Sequence, residues 1–302
     1  MTMYENPSQG RFRMPNRSWP AHAALSVLWG LAITLVCGVV LGFGWAAAAT
    51  LTSLSAAVAI TASVRLDGRR LARPTHIRQM VILAGAVAVQ NVGLCFALAH
   101  VGIALSAIVL GSMPLFATLF GQIWGVDRIT AAAAGGLATG FTGLLLVVIF
   151  PAQGDSWAFL TGIFAALLSA VAGGFAIRYG TLRLAGEPDV AVGSHVIAAL
   201  ATLPLVFVFG GPRGGSVWAY LALAALVVVI GLASPVLDLH MPRSGQGARA
   251  GMVKTLGLVV AAIVGVLFLG EQVDFGQVVG MLLLVLGAAL VLELLPSRWS
   301  LR

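Results

Sequence analysis

Ser106-Ala107-Ile108-Val109 leads on to Pro114, Gly121, Asp127-Arg128, Gly136 and Gly143. One hundred and forty-four residues later, Ala250-Gly251-Met252-Val253 leads on to Leu258, Gly265, Glu271-Gln272, Gly280 and Gly287. The same offset of 144 carries Gly30 onto Gly174. An echo of this length marks a duplicated structural unit. Its setting says what kind of unit: 60% of the 302 residues are hydrophobic and 9% are charged, with a mean hydropathy of +1.02. Soluble domains carry about 25% charged residues, so these apolar side chains must face lipid or one another.

A helix crosses the hydrocarbon core with about 20 apolar residues. Ten stretches qualify: 22–43, 45–64, 77–99, 103–124, 130–150, 157–179, 190–209, 217–239, 250–269 and 275–295. They are rich in Ala, Leu, Val and Gly and lack the period-2 alternation of a membrane barrel. The expected fold is therefore all-α, a polytopic membrane protein with ten transmembrane helices.

The net charge of +7 would suggest nucleic acid in a soluble protein. No stripe of Lys and Arg with interleaved aromatics supports that here. The charge instead sets orientation. With the N-terminus inside, 16 of the 17 Lys and Arg residues fall on the inner side and only Arg213 outside, so both termini are expected in the cytoplasm. One missed span would scramble every later loop. Trp19, Trp124 and Trp299 then mark inner ends, and Trp45, Trp157 and Trp218 outer ends, as an aromatic belt. The polar N-terminal stretch is followed by a full-length span with no small-residue cleavage signature, so no removed signal peptide is expected.

Each copy of the repeat holds five spans. An odd number makes the second copy enter from the opposite side, so the chain divides into an N-terminal tail 1–21, a first repeat 22–150, an inverted second repeat 157–295 and a C-terminal tail 296–302. In inverted-repeat carriers the substrate binds near the midplane between two halves that rock around it.

Leu269-Gly270-Glu271, followed by Gly280 and Gly287, resembles the second-copy signature of the drug/metabolite transporter superfamily in its EamA branch. Pro114 with Asp127-Arg128, Gly136 and Gly143 resembles the first copy, and Trp29-Gly30 the start of many members. The resemblance covers about residues 22 to 295. It implies ten helices in two EamA-like repeats and a cavity ringed by helices 1–4 and 6–9, with 5 and 10 at the periphery. It further implies export or exchange of small metabolites, amino acids included, by alternating access. Two departures stand out: Leu258 where the repeat would place a proline, leaving the bend of helix 9 open, and Asp127 where a Glu is usual.

Candidate site residues follow from polarity at depth. Gln90 and Asn91 lie mid-span, where an amide pair faces either a cavity or a neighbouring helix. His195 is a proton-handling candidate or a hydrogen-bonded core residue. Lys254, the only lysine, precedes Thr255; it snorkels to the interface, pairs with Asp238, or meets a substrate carboxylate. Trp29 either stacks on substrate or packs. Trp29, Gln90, Asn91, His195, Lys254 and Thr255 form the substrate-binding set, and Asp238 with Lys254 the coupling or ion pair. Ser106, Ser112 and Thr118 are weaker cavity candidates. Asp127 and Glu271 read as charges at the start of the following helix, and the small-xxx-small glycines Gly121/Gly125, Gly136/Gly140 and Gly276/Gly280 as packing of the hairpins 4–5 and 9–10.

Lys254-Thr255 lacks the preceding glycine of a P-loop. Gly210–Gly215 follows no strand and reads as an outer loop. Cys37 and Cys95 lie in apolar runs and read as small hydrophobes. No metal cluster, cofactor motif or catalytic nucleophile motif is present, so neither cofactor nor enzyme activity is expected. The expectation is a secondary transporter of the inner membrane handling a small metabolite, an amino acid or related compound first. Protons are a candidate second partner, although no carboxylate lies at midplane, and a monomer is expected. The alternatives are a carrier for a sugar, nucleobase or drug, or a non-transporting membrane protein such as a sensor or intramembrane enzyme.

Overall fold

The computed structural model describes the backbone of residues 19–68, 70–71, 76–126, 130–149, 157–183, 188–210, 215–240 and 246–291. Within these, side chains are described outside 19–22, 183 and 232–254. The described residues form helices and no strand. In order these are α1 (Trp19–Phe43), α2 (Trp45–Leu66), α3 (Ile77–Val101), α4 (Ile103–Leu110), α5 (Met113–Ile123), α6 (Ala131–Ile149), α7 (Trp157–Arg183), α8 (Pro188–Phe209), α9 (Val217–His240), α10 (Gln246–Leu269) and α11 (Phe275–Val291). Among the described residues, seven segments are long and apolar enough to cross a membrane. Three shorter apolar stretches, Val217–Gly231, Thr255–Leu269 and Phe275–Val291, accompany them.

The stretch expected as one helix over 103–124 is two, α4 and α5, broken at Gly111-Ser112. Pro114 explains the break. It has no N–H to give to the carbonyl of Leu110, and its ring crowds that carbonyl. The chain recovers through bonds from the N–H groups of Leu115 and Phe116 to the Ser112 carbonyl, at 2.9 and 3.3 Å. At the matching position Leu258 keeps its N–H, and α10 runs unbroken. The missing proline thus gives a continuous helix. All eight residues of α4 are buried, as suits a segment that is apolar all round and sits at the centre of the packing.

The larger interfaces pair α1 with α9 and α10, α2 with α3, α8 and α9, α3 with α7 and α8, α5 with α7, α4 with α10, and α6 with α11. The last corrects the expectation for the glycines. A Cβ added at Gly136 would lie 2.8 Å from the Gly287 carbonyl oxygen, and one at Gly143 would lie 2.5 Å from that of Gly280. These residues therefore join α6 to α11 and do not primarily hold the hairpins, although Gly140 also meets Leu115 of α5. In a membrane there is no hydrophobic force between apolar helices, so close backbone approach supplies the contact, and the bare faces of α6 and α11 are one another's best partners.

Candidate functional site

A cavity of about 540 Å³ opens where the C-terminal ends of α1, α3 and α10 meet the N-terminal ends of α4, α7 and α11. Its wall takes Cys37, Leu98 and His100 from the first half of the chain, and Phe159, Glu271 and Gln277 from the second.

Glu271 organises this region. The chain leaves α10 through Gly270, and the Glu271 N–H donates to the Gly265 carbonyl at 3.1 Å. This turn delivers the carboxylate to the start of α4. There the N–H of Ile103 donates to Oε1 at 2.7 Å and that of Ala104 to Oε2 at 2.6 Å. Helix N-termini leave such donors without intrahelical partners, and the macrodipole favours an anion there. Gly102 makes room. Its φ of +81° disfavours any side chain, and a Cβ would stand 2.6 Å from Oε1. Glu271 is thus a helix-start charge, as its type suggested, but for a helix 168 residues earlier and not for the one that follows. The following helix has its own contact: the N–H of Asp274 donates to Gln277 Oε1 at 3.1 Å, the return half of a capping box.

His100 stacks on Phe96 with ring centroids 4.0 Å apart, and its Nδ1 lies 2.7 Å from the Phe96 carbonyl oxygen. A carbonyl only accepts, so Nδ1 carries the proton. Cys37 is 5% exposed and forms part of the wall, whereas Cys95 is fully buried elsewhere.

The expected site residues whose side chains are described lie apart from this cavity. Asn91 is buried and its Nδ2 donates to Ser53 Oγ of α2 at 2.7 Å. Gln90 faces the other way, with its Cδ 3.2 Å from where a Cβ on Gly173 of α7 would sit. Trp29 packs beside Gly257 of α10. His195 is half-buried on α8. Thr255 is buried and, with Gly111, Leu258 and Met281, bounds a small void of about 10 Å³ beside the α4–α5 break. The side chains of Asp238 and Lys254 lie outside the described residues, as do Asp127 and Arg128. Ser112 and Thr118 turn their hydroxyls back to the carbonyls of Val109 and Pro114. Among the described residues, no group of three or more His, Cys, Asp or Glu is gathered as a metal site would require.

Sequence reasoning missed His100, Cys37 and Gln277 as cavity residues, and missed the reach of Glu271. The signal for Glu271 was present in two pieces, Gly102-Ile103 and Gly270-Glu271, but nothing local links them.

Residues 159–293 match the EamA-like transporter family. This half of the chain belongs to that family. The match makes this stretch similar to a family of membrane transporters, in keeping with the seven described segments that are long and apolar enough to cross a membrane. A solved structure titled only as the crystal structure of a protein shares the fold, with a TM-score of 0.65 at 20% identity over 92% of this chain and 98% of that one. No curated protein matches the sequence.

Proposed function

We propose that the chain is a ten-helix secondary transporter built from two inverted five-helix repeats. On this reading it exports or exchanges a small metabolite, an amino acid or related compound, across the inner membrane by alternating access, with both termini cytoplasmic.

One observation carries the reading: helix contacts recur at the sequence offset. A Cβ on Gly30 would meet the Gly257 carbonyl oxygen at 2.6 Å and Val260 at 2.7 Å. A Cβ on Gly174 would meet Phe116 at 2.6 Å and the Met113 carbonyl oxygen at 2.8 Å. Gly174 lies 144 residues after Gly30, and Met113 and Phe116 lie 144 residues before Gly257 and Val260. Exchanging α1 with α7, α2 with α8, α3 with α9, α4–α5 with α10 and α6 with α11 maps the interfaces of α1 with α9 and α10, of α2 with α8 and α9, of α3 with α7 and α8, of α5 with α7, of α4 with α10 and of α6 with α11 onto one another or onto themselves, whereas the α2–α3 interface has no comparable counterpart between α8 and α9. A carrier of two like halves needs its site between them, and the 540 Å³ cavity draws its wall from both. By the charge count this cavity opens outward, and it is large enough for a small metabolite.

Counterflow in proteoliposomes tests the reading. Liposomes loaded with unlabelled amino acids should accumulate at least one labelled amino acid well above empty liposomes. A parallel imposed pH gradient should alter that uptake only if protons are coupled. Absence of counterflow for amino acids would defeat the substrate class, and absence for sugars and nucleobases as well would defeat transport.

A further inference from the structure

The cavity has one pronounced chemical bias. Glu271 is a carboxylate in its wall, and among the described residues it has no ion-pair partner; its bonds are the two from Ile103 and Ala104. Each of those N–H groups occupies one oxygen, and a carboxylate offers about four lone-pair sites. A helix N-terminus supplies roughly half a positive charge, so a full negative charge at Glu271 is only partly offset. Among the described residues no Lys or Arg lines the cavity. His100 donates its Nδ1–H to the Phe96 carbonyl, so in the neutral form of the ring Nε2 is an acceptor. The rest of the wall includes Leu41, Leu98, Leu105 and Phe159, a surface for an apolar body.

A site with a fixed anion, a second acceptor and apolar walls suits an amine. We propose that this cavity is a binding site selective for a ligand carrying an ammonium group on an apolar body, with Glu271 as its counter-charge, and that it rejects organic anions of the same size. This rests on the transporter reading and goes beyond it, since it fixes which end of the substrate is recognised and by which residue. Glu271 then has two roles, tying down α4 and facing the ligand. A cap alone would not require an open cavity beside it.

Cys37 is a reporter already in place. The full chain carrying Cys95→Ala is reconstituted in lipid, and Cys37 is reacted with two methanethiosulfonates of similar size, one bearing trimethylammonium and the other sulfonate. Each rate is divided by that reagent's rate on a free thiol. Charged clefts bias local ion concentrations by about 10- to 1000-fold. The cationic reagent is expected to react about tenfold faster at Cys37 on the normalised scale, and Glu271→Gln to bring the ratio toward one. Phenethylamine is expected to protect Cys37 at concentrations where phenylacetate does not. Equal normalised rates in the unsubstituted protein, or protection by phenylacetate, would overturn the proposal even if Glu271→Gln failed to fold. Counterflow together with equal rates would leave transport standing and remove only the ammonium site. A Cys37 sealed to both reagents would remove the cavity as a site altogether.

Discussion

Glu271→Ala is expected to lower the stability of the folded protein by about 2–4 kcal/mol. The substitution removes two hydrogen bonds to a charged group, at 2.7 and 2.6 Å. Bonds of this kind contribute about 1.5–3 kcal/mol each, and buried donors left unsatisfied carry the full desolvation penalty. The donors are the first two N–H groups of α4, whose eight residues are all buried; water entering from the adjoining cavity offsets part of the loss, which keeps the expected figure below the sum of two such bonds. Glu271→Gln keeps an acceptor for one of the two and should lose about half as much. Gly102→Ala should resemble Glu271→Ala from the opposite side, because its Cβ would stand 2.6 Å from Oε1 in a backbone conformation with φ of +81°. Thermal unfolding in one detergent provides the measurement. A Glu271→Ala protein as stable as the parent would mean that the cap contributes nothing.

Gly30→Ala and Gly174→Ala are expected to destabilise by similar amounts, about 1–3 kcal/mol each, as overpacking typically does. In both cases the added methyl meets backbone that cannot rotate away: the Gly257 carbonyl for one, the Met113 carbonyl for the other. The two sites lie on α1 and α7, and the proposed repeat predicts that they behave alike. Gly85→Ala and Gly135→Ala, on α3 and α6, have no atom within 4 Å of the added Cβ and should cost nothing. They may be used as matched controls, since all four are helical glycines. A large loss at Gly30 with none at Gly174 would break the equivalence of the two halves.

Helix positions were largely legible in the sequence because hydropathy reports directly on what lipid requires. The stretches expected at 45–64 and 77–99 are α2, Trp45–Leu66, and α3, Ile77–Val101. Pro114 carried its helix break in plain view, yet a hydropathy window over 103–124 passes through it, since Pro114 is flanked by Met113 and Leu115. The glycine faces were legible as close-packing surfaces, but spacing alone does not say which helix a surface meets, and α6 chose α11 over its hairpin neighbour. The cavity wall was the least legible part. Glu271 meets its partners across 168 residues, and polarity at depth drew attention to Asn91, which bonds Ser53, and away from Cys37 and His100 at the helix ends. Local pattern encodes helix and face; the meeting of distant helix termini is encoded only by the completed packing.

The central claim is that one cavity between two like halves carries the transported molecule. Blocking that cavity at Cys37 tests it most directly. In proteoliposomes of the Cys95→Ala protein that show counterflow, a bulky membrane-impermeant thiol reagent should react with Cys37 from the outer face and abolish counterflow, and the transported substrate should slow the reaction. Cys37→Ala should make counterflow resistant to the reagent. Full modification of Cys37 with counterflow unchanged would contradict the account.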